Sequence, residues 1–168
     1  TDVCPFVPLG DADMDDCIRC AEEVGRRVAA ELDIPVYLYG EPARNSERRK
    51  PAFIRRGGLA TLANRIGTPE GQPDFGPATF VPAWGATATG ARMFLIAYTV
   101  NILGTSNQAH RIALNLREAG RGEDQPGRLK AVKGMGWFVE EYNMAQVTVN
   151  LNNYKVTDIH TLFEAVLE

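Results

Sequence analysis

The sequence predicts an α/β (α+β) fold of two mixed-sheet subdomains with helices packed on the sheets, the second a ferredoxin-like βαββα(β) unit. Three observations lead there. In the first half, short apolar runs alternate with segments whose apolar residues recur at helical spacing. That pattern breaks at a Pro/Gly-rich stretch from Phe75 to Gly90. Beyond it, the order strand, helix, strand, strand, helix reads through to the last residue. The change of pattern falls between Ala91 and Leu95, which predicts subdomains over residues 1–94 and 95–168.

The 168 residues are 45% hydrophobic and 23% charged, a composition that can bury a core. A net charge of −3 argues against a nucleic acid or an anionic membrane surface as partner. No apolar run is long enough to span a bilayer and no basic, apolar leader is present, so an integral membrane protein is not expected. Cys4, Cys17 and Cys20 cannot pair completely, which favours reduced thiols and a cytoplasmic location. Cys17 and Cys20 are spaced as CxxC but fall in an amphipathic helical pattern, with no second pair and only His110 and His160 elsewhere. No metal site is expected.

Asp2 to Leu9 is mostly apolar but carries Pro5 and Pro8, which predicts a strand at a sheet edge. From Met14, apolar residues recur at Cys17, Ile18, Ala21, Val24, Val28, Ala29 and Leu32, opposite a charged face; Asp13 is the natural N-cap. Val36 to Tyr39 is the next strand. Pro51 opens a short helix, and Gly57 to Ile66 supplies another helical stretch. The continuous apolar run Phe94 to Leu103 predicts a strand buried on both faces. Thr105 or Ser106 caps a helix over Asn107 to Glu118; Lys130–Glu141 and Met144–Leu151 are strands; Thr157 caps the last helix. Gly134 and Gly136 inside a strand imply a bulge or a close strand contact.

Two stretches carry candidate chemistry. Gly76-Pro77-Ala78-Thr79-Phe80-Val81-Pro82-Ala83-Trp84-Gly85 is held extended by its prolines, and leads into a short strand at Ala86 to Thr89. Its glycines permit close backbone approach, Trp84 offers a stacking face and Thr79 a hydrogen bond, which suits a planar heteroaromatic ligand. On composition alone, the favoured reading is a linker whose Trp84 plugs the core. Between Arg44 and Arg56, six cations (Arg44, Arg48, Arg49, Lys50, Arg55, Arg56) face a single Glu47. They read either as a solvated face or as an anion site for the carboxylates of a glutamate-bearing substrate.

The strings DVCPFVPL, LDIPVYLYGEPAR, GPATFVPAWG with ATATGARMFLIAYTVNILGT, QAHRIALNLREAGRGEDQPGRLKAVKGMGWFVEE and MAQVTVNL together span nearly the whole chain. They resemble the formiminotransferase domain of the formimidoyltransferase-cyclodeaminase (glutamate formimidoyltransferase) family. The resemblance implies a cytoplasmic homo-oligomer that transfers the formimino group of N-formiminoglutamate to tetrahydrofolate in histidine degradation, with Gly76–Gly85 binding folate. It also implies a polyglutamylated folate whose tail meets the cationic cluster, no metal, and a cyclodeaminase domain on a longer chain.

In that family the general base is a histidine of a short His-Pro-Arg motif, just upstream of the segment resembled by Asp2 to Pro8. The chain starts at Thr1, so the resemblance places the base outside these residues and implies folate binding without turnover by them alone. Asp2 is then a candidate for orienting that imidazole, with an exposed strand-end aspartate as the alternative. His110 and His160 do not align with the family histidine, and neither is assigned as base. A non-catalytic module of the same fold, binding folate or a partner, is the alternative reading.

Overall fold

A computed structural model describes residues 2–168, which divide into two compact units, one ending at Arg92 and one running from Met93 to Glu168. In the first unit, β1 (Val3–Phe6), β2 (Val36–Gly40) and β3 (Thr87–Ala91) form a parallel sheet in the order β1-β3-β2. Pro5 is tolerated because β1 is an edge strand, paired only with β3. The strand after the loop is Thr87–Ala91, where the sequence reading had Ala86–Thr89.

Helix α1 (Met14–Leu32) starts as its sequence implies. The Asp16 amide donates to the Asp13 carboxylate at 2.8 Å, and the Asp13 amide donates back to the Asp16 carboxylate at 3.0 Å, a reciprocal capping box. Its buried residues, Cys17, Ala21, Gly25 and Ala29, recur every fourth position as a narrow small-residue stripe against the sheet. Beyond β2 come a 3₁₀ turn (Ser46–Arg49), the short helix α2 (Pro51–Ile54) and α3 (Gly58–Arg65). Leu62 and Ile66 pack with Tyr37 in a small cluster that Ile54, Phe80 and Ala86 flank.

The second unit contains β4 (Ile96–Ile102), α4 (Ser106–Leu116), β5 (Val132–Val139), β6 (Met144–Leu151) and α5 (Ile159–Leu167). Its sheet is antiparallel in the order β4-β6-β5, so β6 lies between the two strands that α4 connects, as in a split βαβ motif. This is the predicted βαββα order. Ala109, Ala113, Leu116, Val132, Val147, Leu151 and Leu162 form one core.

Three local expectations are corrected. β4 is buried on one face: Tyr98 and Val100 contribute to the core, while Ala97, Thr99 and Asn101 are exposed. Phe94 and Leu103 lie outside the strand and are exposed. The last helix is capped by Asp158, whose side chain accepts from the Thr161 amide at 2.7 Å; that bond holds its carboxyl below the usual carboxylate range. Thr157 is buried and donates its hydroxyl to Lys130 O at 2.8 Å, tying the helix start to the residues before β5. Finally, Gly136 serves helix packing rather than a bulge or a strand contact. A Cβ there would be driven into the backbone of Ala109 and His110, so only glycine lets α4 approach β5 this closely. Among the described residues, no helix is long and apolar enough to cross a membrane.

Candidate functional site

The Gly76–Gly85 segment has no helix or extended strand, yet both ends are pinned to the start of β2. The Val36 amide donates to Phe75 O at 2.9 Å at the entry, and the Thr87 amide donates to Pro35 O at 3.0 Å just beyond the exit. A closed loop of this kind is held by its ends and by its own tight turn. That turn runs from Val81 to Gly85: the amides of Trp84 and Gly85 both donate to Val81 O, at 3.1 and 2.7 Å. Pro82 fixes φ at the second turn position. Gly85 sits at φ +66°, where a side chain would be strained and its Cβ would meet Leu59 at 3.0 Å.

The turn carries Trp84 outward, 73% exposed. The core-plug reading is therefore removed; Phe80 is the aromatic of this loop that packs inward, against the cluster of Tyr37, Leu62 and Ile66. An exposed tryptophan on a loop with fixed ends leaves an aromatic face open to stacking.

Beside the loop exit lies a cavity of about 260 Å³, lined by Asp2, Tyr37, Arg55, Leu59, Leu62 and the segment Ala86–Ala88 among others. Leu59 and Leu62 are the side chains that approach Gly85, so the cavity wall and the loop end share residues. Tyr37 donates its hydroxyl to Gly71 O at 2.6 Å. Burial pushes its phenol up, with Arg65 and Arg48 acting in the opposite direction, so it remains a donor at neutral pH.

The six cations do not form one surface. Arg48 is 8% exposed and spends its guanidinium inside the unit: Nη1 donates to the Asp74 carboxylate at 3.3 Å, and Nη2 to Glu70 O and Gln72 O, each at 2.7 Å. Its donors are engaged within the unit, which sets it apart from the exposed cations of the cluster. Arg44 lies 3.7 Å from the same carboxylate and over the Phe75 ring. Arg49 pairs with Glu41 at 2.7 Å, and Arg56 lies over Phe53. Lys50 is exposed at the junction of the 3₁₀ turn and α2. Arg55 alone of the six lines this cavity, where it pairs with Asp2 at 2.8 Å. Asp2, read from sequence as a group for orienting a histidine, is thus occupied by a guanidinium at the cavity rim. His110 and His160 are exposed on α4 and α5 of the other unit. Among the described residues, no group of three or more His, Cys, Asp or Glu side chains is placed to hold a metal ion.

Sequence reasoning found the loop but missed the cavity. Its lining comes from residues 2 and 37, from five residues between 54 and 62, and from 86–88, which no local pattern links.

A pinned loop that presents an aromatic face beside a largely apolar cavity with one ion pair at its rim has the make-up of a small-molecule site on an α/β unit. Comparison with known proteins narrows the class. The model of the formiminotransferase domain, N-terminal subdomain, matches residues 1–92, and that of the formiminotransferase domain matches residues 97–168. The chain belongs to the formiminotransferase family. It is 56% identical over 163 residues to formimidoyltransferase-cyclodeaminase of Mus musculus, covering 97% of this chain and 30% of that protein. The Dictyostelium discoideum protein of the same name is 55% identical over the same length, again with 30% of it covered. Glutamate formimidoyltransferase of Thermoplasma acidophilum is 44% identical over 167 residues, or 98% of this chain and 53% of the relative. The chain therefore spans under a third of the first two and about half of the third.

Proposed function

We propose that this chain is the folate-binding part of a glutamate formimidoyltransferase, the enzyme that moves the formimino group of N-formiminoglutamate to tetrahydrofolate. Exposed Trp84, on a loop fixed at both ends inside a chain of this family, is the observation that carries the reading. In it, Trp84 stacks on the heteroaromatic part of tetrahydrofolate, the backbone around Gly85 approaches it closely, and the cavity beside Leu59 and Leu62 shelters one side from water. Holding the attacking nitrogen in line with the amidine carbon is worth about 7 kcal/mol or more in well-aligned systems. These residues supply that positioning. Proton removal from the attacking nitrogen needs a general base, and no residue of this chain is assigned to it. In this reading the enzyme is cytoplasmic and homo-oligomeric, and a cyclodeaminase domain belongs to the longer chain.

Arg55 is the cation that takes a carboxylate of the glutamate-bearing substrate. Its pairing with Asp2 is between two largely exposed side chains, and such pairs contribute about 0–1 kcal/mol, so an incoming carboxylate exchanges with Asp2 at little cost. Arg55→Gln is expected to reduce the preference for pentaglutamyl over monoglutamyl tetrahydrofolate. Arg49→Gln, whose partner is Glu41, should leave that preference intact. Isothermal titration with both ligands at two salt concentrations reads this, because screening narrows the gap only where charge produces it. Affinities that fall in parallel for the two ligands would remove Arg55 from the site.

A further inference from the structure

We propose that Arg48 is a positioning residue: it acts as the clamp that sets the entry of the Gly76–Gly85 loop, and through it the pose of Trp84. The proposal rests on the folate reading for its functional consequence and on geometry alone for the clamp. Arg48 sits on a 3₁₀ turn capped by Asn45, whose side chain accepts from the Glu47 amide at 2.9 Å. From there its guanidinium reaches 22 to 26 residues ahead, to Glu70 O, Gln72 O and Asp74 Oδ2. It stacks over Tyr37, its centre 5.1 Å from the ring centroid, and Tyr37 itself donates to Gly71 O.

Asp74, its side chain 4% exposed, carries the tie onward. The same Oδ2 accepts the Leu38 amide at 2.7 Å, so Arg48, Asp74 and β2 are joined at one oxygen. The Asp74 and Phe75 amides donate to Val36 O at 2.9 and 3.2 Å, and the Phe75 ring is flanked by Arg26 and Arg44. The next residue is Gly76, where the loop begins. Its exit is fixed separately, by β3. Loss of Arg48 should therefore free one end of the loop and leave the other in register, so that Trp84 keeps its exposure and loses its pose.

A planar fork is required for this arrangement. Two diverging bonds from Nη2 to the Glu70 and Gln72 carbonyls plus one from Nη1 to the Asp74 carboxylate match the fixed, planar spread of guanidinium donors, whereas a lysine ammonium donates from a single nitrogen and cannot span all three acceptors. Arg48→Lys, Arg48→Met and the pair Arg48→Met with Asp74→Asn separate the roles. The single Met variant leaves a buried carboxylate without its main cation, so it should lose thermal stability. The pair removes that charge while keeping an acceptor for Leu38, so it should recover most of the melting temperature. Tetrahydrofolate affinity should not recover: a drop of about five- to tenfold is expected in both Met-containing variants, with Arg48→Lys in between, because the loop must be ordered at the moment of binding.

Hydrogen exchange without ligand gives the independent readout. Amides of Asp74 and Phe75 should exchange faster in all three variants, while those of Thr89 and Gly90 in β3 keep their protection. Unchanged exchange at Asp74 and Phe75, or a paired variant that regains affinity together with stability, would overturn the clamp. If the unmodified chain does not bind tetrahydrofolate, the folate reading fails, and exchange at these two amides still decides the role of Arg48.

Discussion

Trp84→Ala should weaken tetrahydrofolate binding by roughly 5- to 150-fold, the range that about 1–3 kcal/mol of stacking on an aromatic side chain implies. The melting temperature should hardly move, because a side chain that is 73% exposed contributes little packing, and surface substitutions change stability by about 0.5 kcal/mol or less. Gly85→Val should lose affinity as well, by a different route: it forces a β-branched residue to φ +66° and presses on Leu59 at the cavity wall. Phe80→Ala is the control of opposite sign. It removes the aromatic that packs inward, so stability should fall first and affinity only as a consequence. Calorimetric titration beside thermal melts separates the three. Equal losses of affinity and stability in Trp84→Ala would return Trp84 to a packing role.

Gly136→Val should abolish cooperative folding of the second unit. The new Cβ has nowhere to go but the backbone of Ala109 and His110, and backbone cannot swing aside as a side-chain end can, so α4 must lift from β5. That parts Ala109 and Ala113 from the core they share with Val132, Val147 and Leu151, at a cost of about 3 kcal/mol or more. Gly134→Ala provides the scale. Its Cβ meets Val149 Cγ1 at 3.1 Å, a contact that small shifts relieve, so the cost should be about 1 kcal/mol. Urea unfolding followed through Trp137, in a Trp84→Phe background, measures both. A Gly136→Val chain that unfolds at the unmodified midpoint would mean that the close helix approach is wrong.

What could be read from the sequence was local. The Asp13 N-cap, the apolar spacing of α1 and the βαββα order all lie within short windows, and each appears in the structure. The Pro/Gly loop was legible for the same reason: proline and glycine dictate backbone before any tertiary contact forms. β4 was misread although the signal was present. Ala97, Thr99 and Asn101 alternate with Ile96, Tyr98, Val100 and Ile102, which is the mark of one buried face, but the density of apolar residues concealed the alternation. The sequence left Trp84 with two readings, stacking face or core plug, because its composition suits both, while the turn closed by Val81 and Gly85 decides that this ring faces out and Phe80 packs inward.

The cationic cluster shows where sequence reasoning ends. Six cations with one nearby acid look like a solvated or anion-binding face because their partners are distant in the chain: Arg48 finds Asp74 and Arg55 finds Asp2 only after folding. Burial of Arg48 follows from three acceptors contributed by residues 70–74, and nothing in its own neighbourhood announces them. The cavity was invisible for the same reason.

The most direct test of the central claim, that the Gly76–Gly85 loop holds tetrahydrofolate, uses the chain's own reporter. With Trp137 replaced by Phe, Trp84 is the single tryptophan left. Titration with tetrahydrofolate should quench its emission saturably, with a midpoint equal to the dissociation constant measured by calorimetry on the same protein. Calorimetric binding that leaves Trp84 emission unchanged, or no binding at all, would contradict the account.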